Sequence, residues 1–124
     1  METEHKYILF SNSVDIFRFP VDSIVYVQAD GNFSYLYTKD GKSHLLGFKL
    51  GEVEKIFSLQ LSSDDNRFYR VGNSNIINLD YVTKVNLTVK KLVLSDCDKF
   101  SYTISPSKEA LKLLRELVLR KEGF

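Results

Sequence analysis

Cysteine is almost absent from this chain of 124 residues, tryptophan is missing, and proline occurs only twice. The single cysteine, Cys97, can close no internal disulfide, so the fold does not depend on an oxidising compartment and the cytoplasm is the expected location. No apolar run approaches the roughly 20 residues that cross a bilayer. The start, Met1-Glu2-Thr3-Glu4-His5-Lys6, is neither a basic leader nor followed by a long apolar stretch, so no membrane association is expected. Histidine is scarce as well: His5 and His44 are the only imidazoles, and neither has a Cys, His or carboxylate at metal-ligand spacing. Cys97 lies in Asp96-Cys97-Asp98, where two carboxylates disfavour a thiolate, and a hairpin turn is the expectation there. G-x-G-x-x-G, Walker A and G-x-S-x-G patterns are all missing. The chain is therefore expected to be no enzyme and to hold neither cofactor nor metal.

Apolar side chains are plentiful, at 44% hydrophobic and 13% aromatic, which requires a buried core and argues against a disordered chain. The length suits one domain over 1–124. Charge is nearly balanced, 17 Lys plus Arg against 16 Asp plus Glu, but unevenly placed. Residues 1–62 carry 6 basic and 8 acidic side chains, whereas residues 63–124 carry 11 and 8, so the second half is the one expected to meet an anion.

Most of the chain alternates with period two in short runs, the pattern of half-buried antiparallel strands. Strands are predicted at 7–10, 15–19, 25–28, 33–38, 43–48, 68–71, 82–88, 92–95 and 100–104. Asp40-Gly41 predicts a type I′ hairpin turn, and Val85, Leu87 and Val89 are predicted to share an apolar face. Two segments change to helical spacing. Leu50, Val53, Ile56 and Phe57 predict a short amphipathic helix over 49–61. Ala110, Leu111, Leu113, Leu114, Leu117 and Val118 predict a second one ending near Lys121, with Leu119 on its polar side, Pro106 in its first turn, and Ser105 or Ser107 as the cap.

The most informative stretch runs from Phe68 to Val82. A strand carrying Arg70 gives way to Gly72-Asn73-Ser74-Asn75 before the apolar pattern resumes. Two readings stand side by side: a polar loop closed by side chain to backbone bonds, or a loop whose Asn and Ser meet base edges and phosphates beside an arginine.

Phe68-Tyr69-Arg70-Val71, Asn73-Ser74, Ile77-Asn78-Leu79 and Tyr81-Val82 together resemble the F-x-R-V-H-R-S-x-x-V-N pattern of the LytTR family, the DNA-binding domain of LytR/AlgR-type bacterial response regulators. Asp22 to Phe33 is similar to an upstream stretch of that family, and Tyr102-Thr103-Ile104-Ser105 to the strand leading into its last helix. The similarity covers about residues 6–120. It implies a mainly β fold, an elongated stack of small antiparallel sheets with a short middle helix and a C-terminal amphipathic helix. It also implies two-component transcription regulation through sequence-specific binding of double-stranded DNA, with loops in the major groove. Carried over by position, the first DNA loop falls on Asn32, Phe33 and Ser34, the second on Arg70, Gly72, Asn73 and Ser74, and the third on Pro106, Ser107 and Lys108.

A repeated promoter motif as target, and a homodimer on DNA or association with a related regulator, complete the expected partners. Met1 with no upstream domain leaves a stand-alone regulator or part of a longer one. Gly72, Asn73 and Pro106 stand where the family commonly has His, Arg and Arg, which keeps open a second reading, a LytTR-like protein-interaction module with weak or no DNA binding. Arg70 is expected to anchor phosphate, and Gly72→His to strengthen DNA binding with the fold intact if Gly72 needs no positive φ.

Overall fold

The computed structural model describes residues 6–123. Ten strands and two helices follow one another as β1 (Tyr7–Ser11), β2 (Ile16–Pro20), β3 (Ile24–Asp30), β4 (Phe33–Thr38), β5 (Ser43–Leu46), α1 (Leu50–Gln60), β6 (Phe68–Val71), β7 (Asn75–Asn78), β8 (Val82–Asn86), β9 (Lys91–Ser95), β10 (Ser101–Ile104) and α2 (Lys108–Lys121). All pairings are antiparallel and form three sheets: β1-β2, a central β5-β4-β3-β7-β6, and β10-β9-β8.

The central sheet is covered on both faces. One core joins Ile8, Phe10 and Phe19 of the β1-β2 hairpin with Leu50, Val53 and Phe57 of α1, over Ile24, Val27, Leu36 and Ile76 of the sheet. The other joins Leu92 and Leu94 of β9 with Leu111 and Leu114 of α2, over Val25, Tyr26 and Ile77. A bulge between Ile24 and Tyr26 lets the successive residues Val25 and Tyr26 both serve the second core. Each of these large side chains contributes about 1.5–3 kcal/mol on burial, so the two faces hold most of the stability.

β7 is the element that the sequence pattern hides. The stretch after Gly72 was expected to be loop, yet Asn75-Ile76-Ile77-Asn78 is a fully buried strand. Its isoleucines serve opposite cores, so no wet face produces an alternation. Asn78 is tolerated with no exposure because its carboxamide is used at both ends: Nδ2 donates to the Ile24 carbonyl at 2.9 Å and Oδ1 accepts the Asp80 N–H at 3.0 Å.

Other local expectations need correction. In the β4-β5 turn only Gly41, not Asp40, has positive φ, and the Gly41 N–H bonds the Thr38 carbonyl. That is a three-residue turn with a left-handed glycine rather than type I′, and the Asp40 carboxylate accepts from the Thr38 hydroxyl to hold it. β8 ends at Asn86, leaving Val89 exposed in the turn beyond it. Leu113, predicted inside, is 59% exposed, whereas Leu119 is half-buried. Pro106 precedes the cap of α2 instead of lying in its first turn; Ser107 is that cap, its Oγ accepting the Ala110 N–H. Cys97 does lie in the β9-β10 turn, at φ +63, where the Asp96 carboxylate accepts three successive backbone N–H groups and is held below its usual range by them. On the other side of the molecule the Gln60 carboxamide brackets the Leu9 backbone, accepting its N–H and donating to its carbonyl at 2.8 Å each, which covers the open edge of β1.

Replacing Asn78 by Leu keeps the branched outline of the side chain but strands the Ile24 carbonyl in the core. A loss of about 2–3 kcal/mol in urea denaturation is expected, and a loss under about 0.5 kcal/mol would remove Asn78 from this role.

Candidate nucleic-acid interface

Antiparallel pairing of β3 with β7 has a positional consequence. Gln28 lies opposite Asn75, so the β3-β4 turn, which follows β3, and the β6-β7 turn, which precedes β7, emerge at the same end of the central sheet. The Ala29 N–H donates to the Ser74 carbonyl at 2.8 Å and ties the two turns together. Gly31 at φ +62 and Gly72 at φ +64 make both turns tight. The β10-α2 connection joins them from the second layer. Between it and the β6-β7 turn runs a groove of about 560 Å³ lined by Gly72, Asn73, Asn75, Thr103, Ser105 and Ser107 among others. All three expected loops therefore meet at one end of the molecule.

The individual residues fare differently. Asn32 is exposed and Phe33 is 50% exposed, an aromatic ring offered to solvent at the sheet end. Ser34 has no exposure and its Oγ donates to the Phe48 carbonyl at 2.9 Å. It holds β4 to the segment leading into α1 and is not available to a ligand, because the alternation of β4 turns it inward. Asn73 and Ser74 are exposed, and the Asn73 carboxamide makes no hydrogen bond among the described residues. Lys108 is exposed in the first turn of α2, while Ser107 is engaged as its cap.

Arg70 points to the loop rather than to solvent. Its Nη1 meets Glu54 Oε1 of α1 at 2.8 Å, Nε donates to the Gly72 carbonyl at 3.2 Å, and Nη2 reaches the Asn73 carbonyl at 3.5 Å. A guanidinium with these partners braces the turn and is already neutralised by a carboxylate, unlike the free phosphate anchor expected from the sequence.

Two residues at the groove were not among the expected contacts. Asn75, 6% exposed, lines the groove with a carboxamide oxygen that has no partner among the described residues. Lys91 donates from Nζ to Ser105 Oγ at 2.8 Å and brings a positive charge beside the third loop. The pairing of Leu92 with Ile104 puts Lys91 next to Ser105, so a correct hairpin register would have found it. Behind the groove, Tyr26 stacks on Tyr37 with ring centroids 4.3 Å apart, and the Tyr102 hydroxyl donates to the Thr38 carbonyl at 2.6 Å. Burial, then the neighbouring Tyr37 and Tyr102 phenols, push the Tyr26 hydroxyl far above its usual range, so it stays a neutral group. No cluster of three or more metal-ligating side chains occurs among the described residues, and no helix there is long and apolar enough to cross a membrane.

Comparison with known proteins agrees with this fold. The family profile described as the LytTr DNA-binding domain matches residues 15–119. Among solved structures, the LytTr DNA-binding domain of a protein described as a methyl-accepting/DNA response regulator from Bacillus cereus superposes with a TM-score of 0.61 at 17% identity, covering 98% of this chain and 100% of that one. No curated protein matches the sequence.

The positive φ of Gly72 removes the condition under which Gly72→His would be neutral. A Cβ there would sit 3.7 Å from the Ala110 Cβ, an ordinary contact, so backbone strain dominates. Gly72→His is expected to lower stability by about 1–2 kcal/mol. An unchanged melting curve would show that the turn relaxes freely.

Proposed function

As the chain belongs to the LytTR family of DNA-binding domains, we propose that it binds duplex DNA sequence-specifically and regulates transcription, its three loops reading base edges from the major groove. The observation that carries this reading is the convergence of the three loops at one end of a rigid stack. Asn32, Phe33, Asn73 and Ser74 supply exposed groups at that end, and Lys108 with Lys91 supplies charge for phosphates. Gly72 lets the backbone beside Asn73 approach the groove closely. In this reading the domain works in the cytoplasm, as the output element of a response regulator, on a promoter carrying a repeated motif, and without catalysis. A second copy or a related regulator on the neighbouring repeat is part of the same reading.

The specific observations favouring a protein-interaction module instead are the internal engagement of Arg70 and the apolar side chains left outside, Ile16 at 71% and Leu113 at 59% exposure. Selection from random duplexes at low salt separates the two, because only the first reading yields an enriched motif.

Binding through a few phosphates predicts that log K falls with log[salt] with a slope of about −0.9 per contact. A flat salt dependence, or no binding at low salt, would favour the interaction module. Asn73 gives the sharper prediction. Its carboxamide matches adenine N7 and N6, so Asn73→Ala is expected to cost about 1–3 kcal/mol on the preferred site, relax selectivity at one base pair and leave the melting temperature in place. Equal losses on every sequence, with a lowered melting temperature, would make Asn73 a turn residue only.

A further inference from the structure

α1 is fixed in place by Leu50, Val53 and Phe57, all buried in the first core, so any charge on its outer side has a defined position. Glu54 uses that position to take Arg70 Nη1 at 2.8 Å, and the same guanidinium holds the carbonyls of Gly72 and Asn73 through Nε and Nη2. A guanidinium is planar with its donors in a fixed fork, so a partner on one side orients the donors on the other. Phe57, Phe68 and Ile76 line the adjacent groove of about 350 Å³, with Glu54 and Arg70 on its wall. The turn being held contains a left-handed glycine and has two exposed residues at its tip. The geometry points to Glu54 as a positioning residue for DNA binding: acting from α1 through Arg70, it sets the presentation of Asn73 and Ser74.

This inference rests on the reading of the β6-β7 turn as a DNA contact, and it makes an unusual prediction of sign. Removing a carboxylate from a protein that meets a polyanion ordinarily strengthens binding, and freeing Arg70 for phosphate would add to that gain and steepen the salt dependence. Positioning predicts the opposite. Glu54→Ala is expected to bind the duplex selected by the parent about two- to fivefold more weakly, a loss typical of one exposed charged contact, with the salt slope unchanged. Glu54→Gln should recover part of the loss, since an amide oxygen still accepts from Nη1.

The readout that a purely structural pair would not move is local. In the free Glu54→Ala protein, backbone amide NMR order parameters at Gly72, Asn73 and Ser74 should fall while the melting temperature stays close to that of the parent. Tighter or unchanged DNA binding, or unchanged order parameters at those three amides, would overturn the inference. A parent protein that binds no duplex would refute the DNA-binding reading itself and the positioning role with it, and the order parameters would still report whether the brace exists.

Discussion

The fold depends on one constraint: β3 and β7, paired at the centre of the sheet, have no face that water can cover. Ile24, Val27 and Ile76 need the β1-β2 hairpin and α1, and Val25, Tyr26 and Ile77 need the β8-β10 sheet and α2. The two-stranded β1-β2 hairpin is marginal by itself and gains its stability from this packing. Polar groups on these strands are admitted only when their hydrogen bonds are taken up, as in Asn78, or where the strand reaches the edge of a groove, as in Asn75.

The same pairing builds the end at which the three loops meet. Two antiparallel strands that share the centre bring their turns together, and the second sheet delivers a helix start to the same place. Backbone groups there are largely committed: the Ser74 carbonyl accepts from Ala29, and the Gly72 and Asn73 carbonyls accept from Arg70. What remains for a partner is a set of side chains on short, braced turns, the arrangement that gives contact geometry at little entropic cost. Phe33 adds a half-exposed ring to that set, where a purely structural turn would have a polar residue.

Much of this could be read from the chain before folding. Period-two runs located nine of the ten strands, because those strands keep one wet face or flank a recognisable turn; Phe33–Thr38 and Phe68–Val71 agree to the residue. Both helices followed from the 3.6 spacing of their apolar positions, and Ser107 was one of two caps expected for α2. β7 could not be read in this way, because burial on both faces erases alternation and its two asparagines imitate a turn. Leu113 and Leu119 exchanged places for a related reason: the apolar stripe of α2 is wider than the surface it covers, and its centre depends on what it packs against.

Composition and pattern alone determined that the chain is a mainly β domain with two amphipathic helices, and that its notable polar residues cluster between Arg70 and Asn75. Those are local properties, set by side-chain volume, turn chemistry and periodicity within a few residues. The tertiary structure decided which of the polar residues face outward. Ser34 is sealed against Phe48, Arg70 is claimed by Glu54 sixteen residues earlier, and Lys91 meets Ser105 across a hairpin. Each of these depends on a partner brought in by sheet register and layer packing, and a side chain's exposure is a property of its neighbours in space, which no local pattern encodes.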